Sequence, residues 1–264
     1  RWCQGYSEPN AGSDLASLQA RAEDCGDHFL VNGQKTWTSY ADKSDWIFCL
    51  VRTDVDAPKH LGISFLLIDM ETPGVSTRPI KLISGNSPFC ETFFENVKVP
   101  KENLVGRPNK GWDIAKDLLT HVREMIGGFG LAMAGRETLG QAALKALGGE
   151  GGKIADGGLR ADIAAFEIDE AAFGLTLERI IAESKAGQGT GAASSMLKYY
   201  GTELNKTRNE LLMSIHGPDA LRWGEEDEMT LVKQWLRSKG NSIEGGTTEI
   251  QLSIIARRVL GLPA

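Results

Sequence analysis

Apolar residues recur with two different periods along this chain, and the change of period divides it. Over the first hundred residues, short segments rich in β-branched and aromatic side chains alternate with Gly, Pro and Asp, the mark of strands separated by turns. This pattern predicts strands at 29–31, 35–39, 46–53, 62–69, 75–83 and 92–99. Their close spacing suggests a small antiparallel barrel or sandwich. Pro58, Pro73 and Pro100 fall between strands, where a missing N–H costs nothing. Residues 28–31 and 34–39 flank Asn32-Gly33, a pair that favours a type I′ turn, so a hairpin is predicted there. Trp37 and Ser39 lie two apart and share one face of the second strand.

After Lys110-Gly111 the strand signal fades and the period becomes helical. Ile114, Leu118, Leu119, Val122, Met125 and Ile126 form one face of a helix predicted from Trp112 to about Leu147, loosened at Gly127, Gly128 and Gly130. Residues 148–158 (GGEGGKIADGG) read as a flexible break. Further helices are predicted at 159–186, 190–215, 228–238 and 248–260. The fold class is α+β: a β-barrel or sandwich domain over 1–109, then an all-α helical bundle over 110–264.

Composition narrows the classes of function. With 264 residues, 41% hydrophobic and 24% charged, the chain can bury one large or two ordinary cores. A net charge of −6 without a Lys/Arg stripe argues against nucleic acid as a partner. The longest apolar run, residues 63–68, is far too short for a membrane span. Four cysteines without a C-x-x-C fit free thiols in a reducing compartment, so a cytoplasmic location is expected, or the mitochondrial matrix in a eukaryote. His28, His60, His121 and His216 are scattered, and no metal site is predicted. There is no G-x-S-x-G and no Walker A sequence, which argues against a hydrolase or NTPase.

The candidate chemistry lies in residues 4–14 (QGYSEPNAGSD) and 34–39 (QKTWTS). Pro9, Asn10 and Gly12 break regular structure and predict a tight loop rich in hydroxyls and free N–H groups. An indole wall beside such a loop suits a flat heteroaromatic ligand with polar edges. Together the two segments resemble the flavin-binding signature of the acyl-CoA dehydrogenase family. The resemblance returns in residues 85–100 (GNSPFCETFFENVKVP) and 242–262 (SIEGGTTEIQLSIIARRVLGL), in the family's order and spacing. Members of that family carry an all-helical N-terminal domain ahead of this signature. Here Arg1-Trp2-Cys3 leads directly into it, so the sequence is expected to be a fragment or a processed product.

The resemblance implies an FAD enzyme that removes two hydrogens from Cα and Cβ of an acyl-CoA, as in β-oxidation. A carboxylate takes the α-proton and a hydride leaves Cβ for the flavin. Electrons then pass to a separate, electron-transfer-flavoprotein-like acceptor. By motif, Tyr6, Ser7, Gly12, Ser13, Trp37 and Ser39 match the flavin-ring and diphosphate positions, and Thr247 and Glu249 the adenine half. Ser13 and Arg123 match substrate-binding positions. For the base, Glu244 is the candidate, although aligning backward from Thr247 puts Gly245 at the family's usual Glu position. Some members draw the base from the helix that opens the C-terminal domain; here Val122 occupies that place, with Glu124 on nearly the opposite face.

Two departures bear on assembly. No Arg-Lys-Thr-Phe-Gly-like run appears between Gly140 and Ala165, and Ser214-Ile215-His216-Gly217 lacks the usual amide. In the family's homomeric members these elements let a neighbouring subunit clamp the flavin diphosphate, so the resemblance implies a weaker clamp here, closer to relatives that pair unlike subunits. A homo- or hetero-tetramer is expected, and the two departures point toward the hetero-oligomeric, large-subunit type. The alternatives are a catalytically impaired structural or regulatory subunit of a hetero-oligomer, and a related flavin oxidase or monooxygenase.

Overall fold

The computed structural model describes residues 1–128, 136–187, 193–225 and 228–263, with backbone alone for 120–128. Packing divides it into two compact units: Arg1–Leu82 with Asn86–Leu119, and Ile83–Gly85 with Thr120–Ala264.

The first unit is built on one eight-stranded sheet. Its strands are β1 (Trp2–Gly5), β2 (Arg21–Asp24), β3 (His28–Ser39), β4 (Trp46–Arg52), β5 (Ile63–Asp69), β6 (Val75–Ile80), β7 (Phe89–Pro100) and β8 (Leu104–Val105). Their order is β6-β7-β3-β2-β4-β5-β8, with β1 paired to β4. Neighbours are antiparallel except that β1, and a single bridge from β2, run parallel to β4. The continuous apolar runs of β4 and β5 place Ile47, Cys49, Leu66 and Ile68 in a core shared with Val31 and Val97, all without exposed surface. Each large aliphatic side chain buried there contributes about 1.5–3 kcal/mol.

The predicted hairpin at Asn32-Gly33 does not form. β3 is one twelve-residue strand, and Val31 and Gly33 pair with Val97 and Phe94 of β7, with a register shift between them. The Asn-Gly pair serves a bulge instead. The Asn32 side chain accepts from the Asn96 amide at 2.8 Å, and Asn96 has φ +52. Gly33 sits at φ +145, where an added Cβ would lie 2.6 Å from Ala20 Cα. Close passage of the chain at Ala20, just ahead of β2, and not chain reversal, is what requires glycine here.

Helix α1 spans Gly111–Gly128. Its first turns bury Ala115, with Trp112, Ile114, Leu118 and Leu119 beside it, against Leu50, Ile63 and Phe65. The single helix predicted to about Leu147 is instead two, because Thr138 starts α2 (Leu139–Leu147) with a capping box. Thr138 Oγ1 accepts from the Gln141 amide at 3.1 Å while the Gln141 side chain accepts from the Thr138 amide at 3.0 Å. The stretch expected to be a flexible break is an ordered connector. Glu150 and Lys153 close a turn through reciprocal backbone bonds of 3.1 Å, Gly151 and Gly152 take positive φ, and Ile154 is buried.

The second unit adds α3 (Gly157–Lys185), α4 (Ala193–His216), α5 (Leu231–Ser238) and α6 (Thr248–Ile254), which runs on into a wider turn over Ile255–Val259. Two apolar clusters hold it: Leu139, Ala143, Ile163, Phe166 and Ile215, and then Phe173, Leu177, Ile180 and Leu197. The α+β class, a β domain followed by a helical one, is therefore as expected. Among the described residues no helix is long and apolar enough to cross a membrane, and no group of three His, Cys, Asp or Glu is placed to hold a metal.

Candidate functional site

In the β unit the signature loop is fastened at several points. β1 delivers Tyr6, whose ring turns into the core, 4% exposed and edge-on to Phe48 and Phe65 at 6.0 and 6.3 Å. Burial pushes its phenol pKa up, and among the described residues its O–H has no partner. What Tyr6 gives the loop is its carbonyl, which accepts from Lys35 Nζ at 3.1 Å. Glu8 and Ala11 then close a tight turn through reciprocal backbone bonds of 3.1 and 3.0 Å. The Thr36 amide donates to Ser7 O at 2.9 Å, which ties the loop to β3 one residue before Trp37.

That part of β3 carries a second bulge. Its register with β7 slips between Lys35 and Thr38, both fully buried although three apart. The extra residue pushes Trp37 outward at φ +60, 55% exposed and edge-on to Phe89 at 6.0 Å. A bulky residue in the left-handed region costs of order 1–3 kcal/mol and persists where surrounding structure enforces it. Ser39, two residues on, is exposed as well. Among the described residues, the hydroxyls of Ser7, Ser13 and Ser39 make no hydrogen bond to the protein. Gly12 has open space where a Cβ would stand, so no protein contact explains its lack of a side chain. An outward indole, unclaimed hydroxyls and a bare glycine fit a flavin with a ring to flank and polar edges to hold.

In the helical unit the second motif forms the loop before α6. Glu244, proposed base by motif, has both carboxylate oxygens engaged: Arg237 Nη2 donates at 2.8 Å and Asn241 Nδ2 to the other oxygen. Gly245 and Gly246 follow at φ +68 and +96. Lys198 of α4, with no exposed surface, donates to Gly246 O at 2.7 Å, and Gln251 Nε2 to Gly245 O at 3.0 Å. Burial holds the Lys198 pKa below its ordinary value, against the opposing pull of Glu244, Glu203 and Glu249. One heptad along α4, Asn205 donates to Asn241 at 2.6 Å. Thr247 caps α6 by accepting from the Ile250 amide at 3.3 Å. Glu249, in the first turn, is held charged by its own amide and the Thr247 hydroxyl, which lower its pKa. A cleft of about 330 Å³ opens here between Tyr199, Glu203, Lys206, Ser242, Thr247 and Glu249.

The structure thus gathers Ser7 and Trp37 in the β unit, and Glu244, Thr247 and Glu249 in the helical unit. Arg123 lies in α1, where it, Val122 and Glu124 have side chains outside the described residues. Sequence reasoning passed over Glu8, Lys35, Arg52, Lys198 and Gln251. Their only signal was a charge or amide inside or near a motif, with no local partner.

Family models for the acyl-CoA dehydrogenase middle domain and C-terminal domain match residues 3–97 and 109–260. The acyl-CoA dehydrogenase FadE34 of Mycobacterium tuberculosis is 41% identical over 266 residues, covering 99% of this chain. This chain spans 35% of that protein's length. Among solved structures, the Tcur3481-Tcur3483 steroid ACAD has a TM-score of 0.87 at 29% identity, over 99% of this chain and 68% of that one. A chain of the ChsE4-ChsE5 complex from Mycobacterium tuberculosis has a TM-score of 0.81 at 29% identity, over 100% of this chain and 69% of its own. With two domain models covering nearly its full length in the family's order, the chain belongs to the acyl-CoA dehydrogenases, a family of flavoprotein oxidoreductases.

Proposed function

We propose that this chain is the flavin-binding and C-terminal part of an FAD-dependent acyl-CoA dehydrogenase, introducing a Cα–Cβ double bond into an acyl-CoA thioester. The observation that carries this reading is Trp37, held outward at φ +60 beside a hydroxyl loop that is bonded to the same strand. Trp37 flanks the ring. Ser7 and Ser39 hydrogen-bond its polar edge, and Gly12 and Ser13 admit the diphosphate, with Ser13 also facing substrate. Tyr6 contributes through its backbone. Thr247 and Glu249 take the adenine half, where the Glu249 carboxylate is an acceptor for an exocyclic amine. Arg123 is assigned to the CoA.

When bound, the flavin supplies the acceptor for the hydride that leaves Cβ. Everything else falls to the chain. A carboxylate must accept the α-proton in a site closed to water. Glu244 is assigned that task; each of its oxygens accepts one hydrogen bond, from Arg237 or Asn241, and keeps a second lone pair with which to take the substrate's α-proton. The same geometry favours a second reading. With both oxygens already engaged by its own chain, Glu244 can serve as a fixed strut in a subunit that supports catalysis on an unlike partner. The hetero-tetramer belongs with that reading, and the electron acceptor is assigned to a separate flavoprotein.

Anaerobic titration of the flavin-loaded protein with an acyl-CoA panel decides between them. Bleaching by acyl-CoA that reverses only slowly in air, and is abolished in Glu244→Gln while flavin stays bound, supports the dehydrogenase with this base. Unchanged bleaching in Glu244→Gln removes Glu244 as the base. A colourless protein favours the supporting subunit, and rapid reoxidation in air with peroxide formation an oxidase.

A further inference from the structure

We infer that Lys35 and Glu8 are positioning residues for the flavin-binding face, acting by clasping both ends of the signature loop to β3; the inference rests on the flavin reading above. Lys35 has no exposed surface, although it stands on a strand two residues before the outward Trp37. Its ammonium donates to Glu8 Oε1 at 2.6 Å and to Tyr6 O at 3.1 Å. The Glu8 carboxylate reaches across the loop in turn. Oε1 accepts from the Ala20 amide at 2.9 Å and Oε2 from the Gln19 amide at 2.6 Å. One buried ion pair therefore satisfies three backbone groups, one at the entrance of the loop and two at its exit.

Arg52 of β4 completes the fastening, with guanidinium bonds to Ala16 O at 2.6 Å, Leu18 O at 3.2 Å and Lys59 O at 2.7 Å. The stretch between these fixed points holds the unclaimed hydroxyls of Ser7 and Ser13 and the open face of Gly12. A pair of apolar side chains could fill the same volume without the cost of desolvating two charges. What an apolar pair cannot do is hold Tyr6 O and the Gln19 and Ala20 amides at one point, because the irregular loop offers them no ladder of its own. Lys35 also fixes the phase of β3 just before the bulge, so the loop and the indole are registered by the same side chain. Their spacing is set before any ligand arrives.

The test compares Lys35→Met, Glu8→Gln and the double variant Lys35→Met/Glu8→Leu in the full chain. Three quantities are read: urea midpoint, FAD affinity by fluorescence titration, and hydrogen exchange at the Gln19, Ala20 and Thr36 amides. The double variant, with its apolar filling, is expected to regain stability lost in Lys35→Met. It should still bind FAD at least about tenfold more weakly, equivalent to the loss of about one hydrogen bond's worth of preorganisation, and exchange those amides faster. Glu8→Gln, which keeps the shape, should move both readouts in the same direction by a smaller factor, and it carries the test should the double variant not fold. Wild-type FAD affinity in folded variants, or weakened affinity with the three amides still protected, overturns the clasp. Should the wild type itself bind no FAD, the flavin reading falls, and amide exchange alone decides whether the pair positions the loop.

Discussion

The loop over residues 7–14 in the β unit and the loop over residues 242–247 in the helical unit each rest on a lysine with no exposed surface. Both lysines donate to a loop carbonyl, Lys35 to Tyr6 O and Lys198 to Gly246 O. They differ in what balances the charge. Lys35 has a buried carboxylate at 2.6 Å, whereas Lys198 bonds a neutral carbonyl and feels Glu244, Glu203 and Glu249 only as a more distant field. The first loop is therefore locked by a compensated pair whose halves cannot be separated cheaply. The second is held by a cation that burial works against, and by side-chain amides.

The largest difference should appear when each lysine is removed. Lys35→Met leaves the Glu8 carboxylate buried without a counter-charge, and about 3–5 kcal/mol of stability should be lost. Lys198→Met strands only the Gly246 carbonyl and relieves a buried charge, so a loss of about 1–2 kcal/mol is expected. Urea denaturation checks both, and equal losses would break the distinction.

Glycines in the two loops give the next contrast. Gly246→Ala puts a side chain at φ +96 with its Cβ 2.5 Å from Gln251 Nε2, and should cost about 1–3 kcal/mol. Gly12→Ala enters open space at an ordinary φ and should change stability by less than about 0.5 kcal/mol while weakening FAD binding. Thermal melts paired with flavin titration read the two outcomes separately.

The smallest effect is a difference of sign with pH. In the β unit, burial raises the Cys3 and Cys49 pKa from 9.0 to about 11. Their contribution is complete below pH 9.0 and is lost as the pH climbs toward 11, because the unfolded chain ionises first. In the helical unit, the Lys198 pKa lies below 10.5, so the folded chain releases its proton first, and stability from this group rises as the pH approaches 10.5. Urea midpoints between about pH 8 and 10.5 should therefore fall less steeply in Cys49→Ala than in wild type, and more steeply in Lys198→Met. A Lys198→Met slope equal to wild type would remove the second half of the contrast.

Sequence made the architecture legible where local pattern and tertiary need agree. The runs of β4 and β5 are apolar because both faces are buried, and the Thr138-to-Gln141 spacing is a helix start that could have been read. Asn32-Gly33 was misread because its turn preference is local, while the partner that uses it, Asn96, lies 64 residues away. The residues proposed to face the flavin stand out as a motif, since a loop and an indole must carry their own chemistry. The side chains that hold them do not. Lys35 and Glu8 are 27 residues apart, and nothing near either one announces that the two charges meet inside the protein. The offset of Glu244 from Gly245 could be read, but its engagement by Arg237 and Asn241 could not.

Of the four thiols, Cys3, Cys49 and Cys90 are enclosed by the β core, and Cys25 alone is open to solvent at the turn between β2 and β3. A maleimide dye offered to the native chain should therefore label one position without prior mutagenesis. Energy transfer from that dye would then let flavin loading be followed in real time on an otherwise unaltered protein.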